Sequence, residues 1–122
     1  MKIKRIKIGN FETQNNVFCA PLAGYTDFAF RKLCYAYGAG LCFTEMVSAK
    51  GLRFNNAATR ALLYKAADEP QTAAQIFGND PAVMRAACES EALKDFEIVD
   101  INMECPVPTL YENGEGSARL SD

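Results

Sequence analysis

The chain has 122 residues, a formal net charge of -2 and a hydrophobic fraction of 49%. This length allows one domain, and the near-neutral charge argues against a self-sufficient nucleic-acid-binding domain, which usually carries a basic excess. No stretch approaches the ~20 apolar residues of a membrane helix. The basic segment at residues 1–7 is not followed by the apolar run of a secretory signal.

Five cysteines are scattered along the chain without a CxxC pair, and the sequence contains no histidine. This pattern argues against a disulfide framework or a metal site, and it favours a reducing, cytoplasmic setting. A general acid or base must therefore be Cys, Asp, Glu, Lys or Tyr. A buried structural role is the ordinary interpretation of Cys19, Cys34, Cys42 and Cys88.

The first predicted elements are strands. Residues 2–8 place isoleucines among Lys and Arg, which favours a short edge strand with a solvated basic face over a phosphate contact. Residues 9–10, Gly-Asn, form a turn signal. Residues 17–22 are predicted as a short apolar strand that breaks at Pro21.

A helix is predicted next, with Thr26 as its N-cap and Asp27 in the first turn. Glycines 38 and 40 supply its C-terminal stop. Its apolar residues recur at helical spacing and predict one stripe that faces the core. The stripe consists of Phe30, Leu33, Cys34 and Tyr37.

The middle of the chain is also predicted to alternate between strand and helix. Residues 41–46 are predicted as a strand, residues 48–56 as a loop, and residues 57–67 as a helix with Leu62 and Leu63 directed inward.

The third strand is predicted over residues 72–78. Asp80 and Pro81 form the N-cap and first position of the next helix. Residues 96–102, rich in Ile and Val, are predicted as a strand buried on both faces. The inward residues of the helix between these strands are Val83, Met84, Ala87 and Cys88.

Four strands alternating with three helices predict an α/β fold of right-handed βαβ units with a parallel sheet. Polar or small residues follow the carboxyl end of each strand, which is the pattern of a barrel active-site face. The four ends are residues 21–24, Thr44 with Glu45, Gln75 with Gly78, and Asn102 with Cys105.

Five motifs carry a family resemblance. They are APLAGYTD at residues 20–27, TEM at 44–46, QIFG at 75–78, DINMECP at 100–106 and GEGSA at 114–118. In order and spacing the sequence resembles the tRNA-dihydrouridine synthases. The resemblance implies the first half of a TIM (β/α)8 barrel over residues 1–122, truncated after the fourth strand. It also implies FMN-dependent reduction of tRNA uridine to 5,6-dihydrouridine, with NADPH or NADH as the reductant.

The resemblance also implies residue roles. Cys105 corresponds to the proton donor for uracil C5, while reduced FMN passes a hydride to C6. A free thiol suits this role, because a pKa near ~8.5 keeps it protonated at neutral pH yet able to release the proton. Flavin contacts are implied for Pro21, Leu22, Ala23 and Gln75. Substrate contacts are implied for Asn102 and Glu45.

Each role has a simpler alternative. Cys105 could be a buried structural cysteine, residues 21–23 an ordinary turn, Gln75 a solvated strand end, and Glu45 a capping or loop residue. Gly114 and Gly116 lack phosphate-loop spacing, and we expect them in a flexible loop over the site.

The sequence departs from the family pattern at two positions. The family commonly has Gly where this chain has Glu104, and a side chain and charge there are expected to crowd the loop or oppose loss of the neighbouring thiol proton. The family commonly has Lys where this chain has Thr109, so a cation near the substrate is lost.

A whole barrel takes about 250 residues. Half a barrel leaves two open sheet edges, so we expect a complementary half or self-association, and an inactive chain in isolation. The expected partner is tRNA, without metal or membrane. Another FMN-dependent barrel oxidoreductase and a non-catalytic half-barrel interaction module remain alternatives.

Overall fold

The computed structural model describes residues 2–121, so the first and last residues of the predicted 1–122 domain lie outside the described residues. The chain begins with a two-stranded antiparallel hairpin of β1, Lys7–Ile8, and β2, Phe11–Glu12. The predicted turn at residues 9–10 joins them, and β1 occupies the end of the predicted first strand.

A four-stranded parallel sheet follows, in the order β3-β4-β5-β6. Its strands are β3, Phe18–Cys19; β4, Leu41–Ser48; β5, Thr72–Phe77; and β6, Val99–Ile101. The predicted α/β class and parallel strand order are confirmed. Among the described residues, β3 and β6 each have one strand neighbour and form the two edges of the sheet.

The helices are α1, Phe28–Ala36; α2, Ala49–Arg53; α3, Ala57–Ala61; α4, Pro81–Cys88; and α5, Pro108–Glu112, followed by a 3-10 helix at Gly116–Ser121. Residues from α2 and α4 pack on the inner strands β4 and β5. Val47, Ala74 and Ile76 are fully buried there, together with Ala49 and Ala87 of the two helices. Burial of this apolar surface is the main favourable contribution to folding.

The sheet differs from prediction at its edge. Strand β6 is shorter than the predicted 96–102, and Ile101 is 52% exposed, so the expectation of a strand buried on both faces is wrong. The central strand β5 has that environment instead, with five of its six residues buried. Its small alanines match a position between two neighbours.

Helix α1 also differs from prediction. Its N-cap is Asp27, whose carboxylate accepts a hydrogen bond from the backbone N–H of Phe30 at 2.9 Å. Thr26 is not the cap, because its hydroxyl hydrogen-bonds the backbone of Leu22 in the preceding turn. The predicted inward stripe is wrong, since Leu33 and Tyr37 are 54% and 86% exposed while Arg31 is fully buried.

The predicted loop at residues 48–56 contains helix α2, capped by the Ser48 hydroxyl, which accepts from the backbone N–H of Gly51 at 3.2 Å. The helix predicted over 57–67 ends at Ala61. Leu63 is buried as expected, whereas Leu62 is 37% exposed. Side-chain caps at Ser48 and Asn56 therefore start two short helices where the apolar pattern predicted one loop and one longer helix.

Helix α4 begins as predicted. The Asp80 carboxylate accepts from the backbone N–H groups of Ala82 and Val83 at 2.8 and 3.2 Å, with Pro81 at the first helical position. Cys88, predicted inward, is exposed. None of the helices in residues 2–121 has the length and apolar character needed to cross a membrane.

Candidate functional site

The carboxyl ends of the parallel strands open into one cleft of about 770 Å³. Its apolar walls include Phe18, Phe43 and Met46. Six of the seven residues named from the sequence line it, and Glu45 does not. The six are Pro21, Leu22, Ala23, Gln75, Asn102 and Cys105. The strand ends converge as expected for a parallel β/α fold.

The turn after β3 is fixed by the neighbouring strand. Glu45 was expected at the end of a strand over residues 41–46, but it lies within β4, which continues to Ser48. Its carboxylate accepts a hydrogen bond from the backbone N–H of Gly24. The Leu22 backbone N–H donates to the Thr26 hydroxyl at 3.1 Å. These contacts hold the backbone of residues 21–23 against the cleft, and they give Glu45 an orienting position behind the turn.

A carboxylate and two carboxamides form a chain across β5 and β6. Gln75 Nε2 donates to Asp100 Oδ2 at 2.6 Å, and Asn102 Nδ2 donates to Gln75 Oε1 at 3.0 Å. Asp100 only accepts hydrogen bonds when ionised, so it turns the NH2 group of Gln75 toward itself and the oxygen toward Asn102. The orientation of both amides therefore follows from one carboxylate.

Asn102 also shapes the turn that carries the thiol. Its backbone N–H donates to the Ile76 carbonyl at 2.9 Å and extends the pairing past β6. Its Oδ1 accepts from the backbone N–H groups of Cys105 and Glu104 at 3.1 and 3.3 Å. Pro106 then directs the chain away, so the half-buried Cys105 side chain stays at the rim.

The glycine segment packs on this turn from the other side. The Ser117 backbone N–H donates to the Cys105 carbonyl at 3.0 Å. Gly116 is buried with a φ of 57°, and an added Cβ would lie 2.5 Å from the same carbonyl. The expected flexible loop over the site is wrong for Gly116, which instead supports the backbone of Cys105.

The donors and acceptors that Asn102 and Gln75 do not already use are those available to a ligand in the cleft. Asn102 Oδ1 already accepts from two backbone N–H groups, so the side chain offers a ligand mainly an N–H group. The other contact of Nδ2 is the weak acceptor Met46 Sδ at 3.7 Å. Gln75 keeps one N–H and one lone pair free beyond its two amide contacts. The cleft therefore offers fixed donors to carbonyl oxygens.

Two groups of residues were missed from the sequence. Asp100 lies in β6 two residues before Asn102, which continues the pairing just past the strand, and this period-two spacing was available from the sequence. The buried pair of Arg31 and Glu69 was also missed, because it joins residues 38 positions apart. Among residues 2–121, no group of three potential metal ligands was found.

Glu104 and Thr109, the two departures from the family pattern, are both exposed. Glu104 lines the cleft beside Cys105, whereas Thr109 lies in helix α5. The extra carboxylate therefore adds negative charge to the rim without being buried in the turn.

This architecture defines an α/β protein of the class that places its site at the carboxyl ends of parallel strands. The sequence model of the family described as Dihydrouridine synthase (Dus) matches residues 18–122. The chain belongs to the dihydrouridine synthase family, a family of flavin-dependent oxidoreductases in tRNA processing, and the resemblance noted from its motifs is confirmed.

Individual relatives of the chain also belong to this family. The chain is 36% identical over 115 residues to tRNA-dihydrouridine synthase B of Vibrio parahaemolyticus, covering 94% of this chain and 36% of the relative. It is 37% identical over 118 residues to the Pseudomonas aeruginosa protein of that name, covering 96% and 35%. A probable tRNA-dihydrouridine synthase of Treponema pallidum is 38% identical over 116 residues, covering 93% and 34%. The chain spans about a third of the length of these relatives.

Proposed function

We propose that the protein containing this chain reduces uridine in tRNA to 5,6-dihydrouridine, using FMN and NADPH or NADH. The observation that supports this most directly is the joint position of Cys105, Asn102 and Gln75 with the turn at residues 21–23 on one cleft. Family membership gives that arrangement its chemistry. The reaction belongs in the cytoplasm, where tRNA is available.

The cleft suits a flat heteroaromatic cofactor. Phe18, Phe43 and Met46 provide apolar and polarisable walls, and Gln75 offers a free N–H and a free lone pair to the edge of a ring. The backbone of residues 21–23 is fixed at the opposite strand end. These residues would hold FMN, which when bound supplies the hydride for uracil C6.

Cys105 is the proposed proton donor for uracil C5. Its backbone is pinned on both sides, by Asn102 at its N–H and by Ser117 at its carbonyl. A thiol held on a rigid turn keeps its proton at a defined place, and positioning of this kind contributes strongly to proton transfer. Loss of the proton leaves a thiolate that must be reprotonated before the next turnover.

Asn102 is the proposed contact for the uracil edge. Because its oxygen already accepts from two backbone N–H groups, it offers mainly an N–H group. Uracil presents carbonyl oxygens at C2 and C4, which are suitable acceptors. An enzyme whose chemistry acts on the base itself requires the target nucleotide to leave the stack and enter the cleft.

We further propose that residues 1–122 form the first half of the catalytic TIM barrel. The four parallel strands, with helices packed on one face and a polar cleft at their carboxyl ends, support this assignment. Edges β3 and β6 would pair with a complementary half or a second copy. Without that cover, the 122-residue chain is expected to bind FMN weakly and to be inactive.

The experiment is deletion of the gene in the source organism, followed by position-resolved measurement of dihydrouridine in total tRNA. We expect one or more uridines to lose the modification, and the intact gene to restore it. Complementation with Cys105→Ala should fail while protein abundance stays unchanged. An unaltered dihydrouridine map in the deletion strain would overturn the proposal.

A further inference from the structure

Three of the five cysteines converge outside the cleft. Cys19 lies on β3, Cys34 on α1 and Cys42 on β4. The Cys34 and Cys19 sulfur atoms are 3.7 Å apart, and both residues are half-buried, whereas Cys42 is fully buried. None of these three lines the cleft, so the proposed tRNA chemistry does not use them.

The topology explains the convergence. Strands β3 and β4 are parallel neighbours in which Cys19 and Cys42 are register partners. Helix α1 is the crossover between those strands and brings Cys34 back over the edge strand. Two residues separated by 15 positions therefore meet because the crossover packs against the strand from which it departs.

We propose that Cys19 and Cys34 are a dithiol site that closes to a disulfide when a hydroperoxide reaches it. One thiol loses its proton and its sulfur attacks the peroxide, so the O–O bond breaks and a sulfenic acid forms with release of water or an alcohol. The second sulfur attacks the sulfenic sulfur, and water leaves with the remaining proton. The two sulfur atoms are oxidised by two electrons, and the peroxide is reduced.

The geometry requires only a small movement. The sulfur atoms must approach from 3.7 Å to about 2.0 Å. Cys34 is favoured over Cys42 as the partner of Cys19. The Cys42 thiol has no exposed surface, so a hydroperoxide reaches the half-buried Cys19 and Cys34 thiols more readily. Burial raises the pKa of Cys42 to about 12, and it raises the pKa of Cys19 as well.

The bond would join β3 to α1 and close a loop over residues 19–34. Strand β3 is an edge strand of two residues, so a covalent link to α1 restrains a segment with few hydrogen bonds of its own. The restrained strand leads directly into the turn at residues 21–23. Oxidation therefore stabilises the first edge of the cleft.

The test treats the purified chain with hydrogen peroxide, blocks free thiols, and maps disulfide-linked peptides by mass spectrometry. We expect a monomer lighter by two hydrogen atoms, with fragmentation that assigns the bond to Cys19 and Cys34. Dithiothreitol should restore the original mass. The thermal midpoint of the oxidised chain should exceed that of the reduced chain.

Matched variants locate the bond. Cys88→Ser, at an exposed site, should form the bond as the native chain does, and Cys19→Ser and Cys34→Ser should not form it. Urea-unfolded chain should lose the preference for this pair. A bond from Cys19 to Cys42, an intramolecular bond retained in Cys34→Ser, or only sulfinic and sulfonic acids in the native chain would refute the proposal.

Discussion

The Asn102 side chain contacts Cys105 and Gln75 through opposite ends of one amide. Its Oδ1 accepts from the Cys105 backbone N–H at 3.1 Å, and its Nδ2 donates to Gln75 Oε1 at 3.0 Å. One residue therefore shapes the turn that carries the thiol and orients the neighbouring carboxamide. The two roles use different atoms and can be separated by substitution.

Asn102→Asp keeps an acceptor for the turn but places a carboxylate oxygen against the Gln75 oxygen. Asn102→Ala removes both contacts. The hydrogen bond to the Cys105 backbone contributes about 1 kcal/mol, so we expect Asn102→Ala to raise the rate of Cys105 alkylation by about fivefold or more. We expect Asn102→Asp to lower that rate, because a carboxylate beside the thiol opposes loss of its proton. The measurement is iodoacetamide modification of the Cys105 peptide. Equal rates in both variants would contradict the positioning role.

The parallel order and the shared strand ends could be predicted because they follow from local signals. Short apolar segments, the break at Pro21 and the Asp80 cap each act within a few residues of chain. Right-handed crossover then places all carboxyl ends at one edge. The residues on the cleft were accessible to sequence reasoning for this reason.

Features set by neighbours across the sheet could not be predicted in the same way. Arg31 looks like a surface residue of a helix, and its burial depends on Glu69, which closes over it from a distant loop. Ile101 looks like a core residue, and its exposure depends on β6 being an edge. Each outcome requires the partner's position, which local pattern does not contain.

The Cys105 backbone leaves no room for a side chain at position 116. Gly116→Ala combines a φ of 57° with a Cβ position 2.5 Å from the Cys105 carbonyl oxygen. The positive φ alone costs about 1–2 kcal/mol in a residue with a Cβ, and relief of the overlap adds to it. We expect a lower urea midpoint together with altered Cys105 alkylation.

Gly9→Ala is the matched control for this substitution. Gly9 has a φ of 59°, close to the 57° of Gly116, and a Cβ there meets nothing within 4 Å. It should lower the urea midpoint less than Gly116→Ala, and it should leave Cys105 alkylation unchanged. A larger loss of stability in the control would show that the contact with Cys105 is unimportant.

Arg31 and Glu69 form a buried ion pair with side-chain exposures of 0% and 2%. Arg31 Nε and Nη2 donate to the two carboxylate oxygens at 2.6 and 3.0 Å, and Nη1 donates to the Thr26 carbonyl at 2.7 Å. Glu69→Ala leaves the guanidinium buried with only its backbone acceptors. Breaking such a pair costs about 3–5 kcal/mol, which urea unfolding would detect.

The exposed pair of Arg85 and Glu89 serves as the control for that prediction. Its side chains are 81% and 65% exposed, so Glu89→Ala should cost no more than about 0.5 kcal/mol. The double variant Arg31→Met with Glu69→Ala should recover part of the loss, because it removes the unpaired charge. No recovery in the double variant would mean that packing, rather than the charge, determines the loss.

The buried thiol of Cys42 should make stability depend on alkaline pH. Burial raises its pKa from an ordinary 9.0 to about 12, and burial also raises the pKa of Tyr35, whose hydroxyl accepts from the Cys42 backbone N–H. Between about pH 9 and 12 the unfolded state therefore binds fewer protons than the native state. The stability that the protonated Cys42 thiol contributes is complete below about pH 9, and it is lost as the pH rises through that range.

Cys42→Ala removes this titration, so its urea midpoint should fall less steeply than that of the native chain between about pH 9 and 11. Its midpoint at neutral pH should be lower, because the substitution leaves a cavity beneath α1. Cys88→Ala, at an exposed site, should keep the native slope. The pH dependence of the urea midpoint that remains in Cys42→Ala comes from other groups whose pKa is raised in the native state, Tyr35 among them. Adding Tyr35→Phe to Cys42→Ala should reduce that dependence further. Parallel pH profiles for Cys42→Ala and the native chain would mean that the Cys42 thiol has the same pKa in the native and unfolded states.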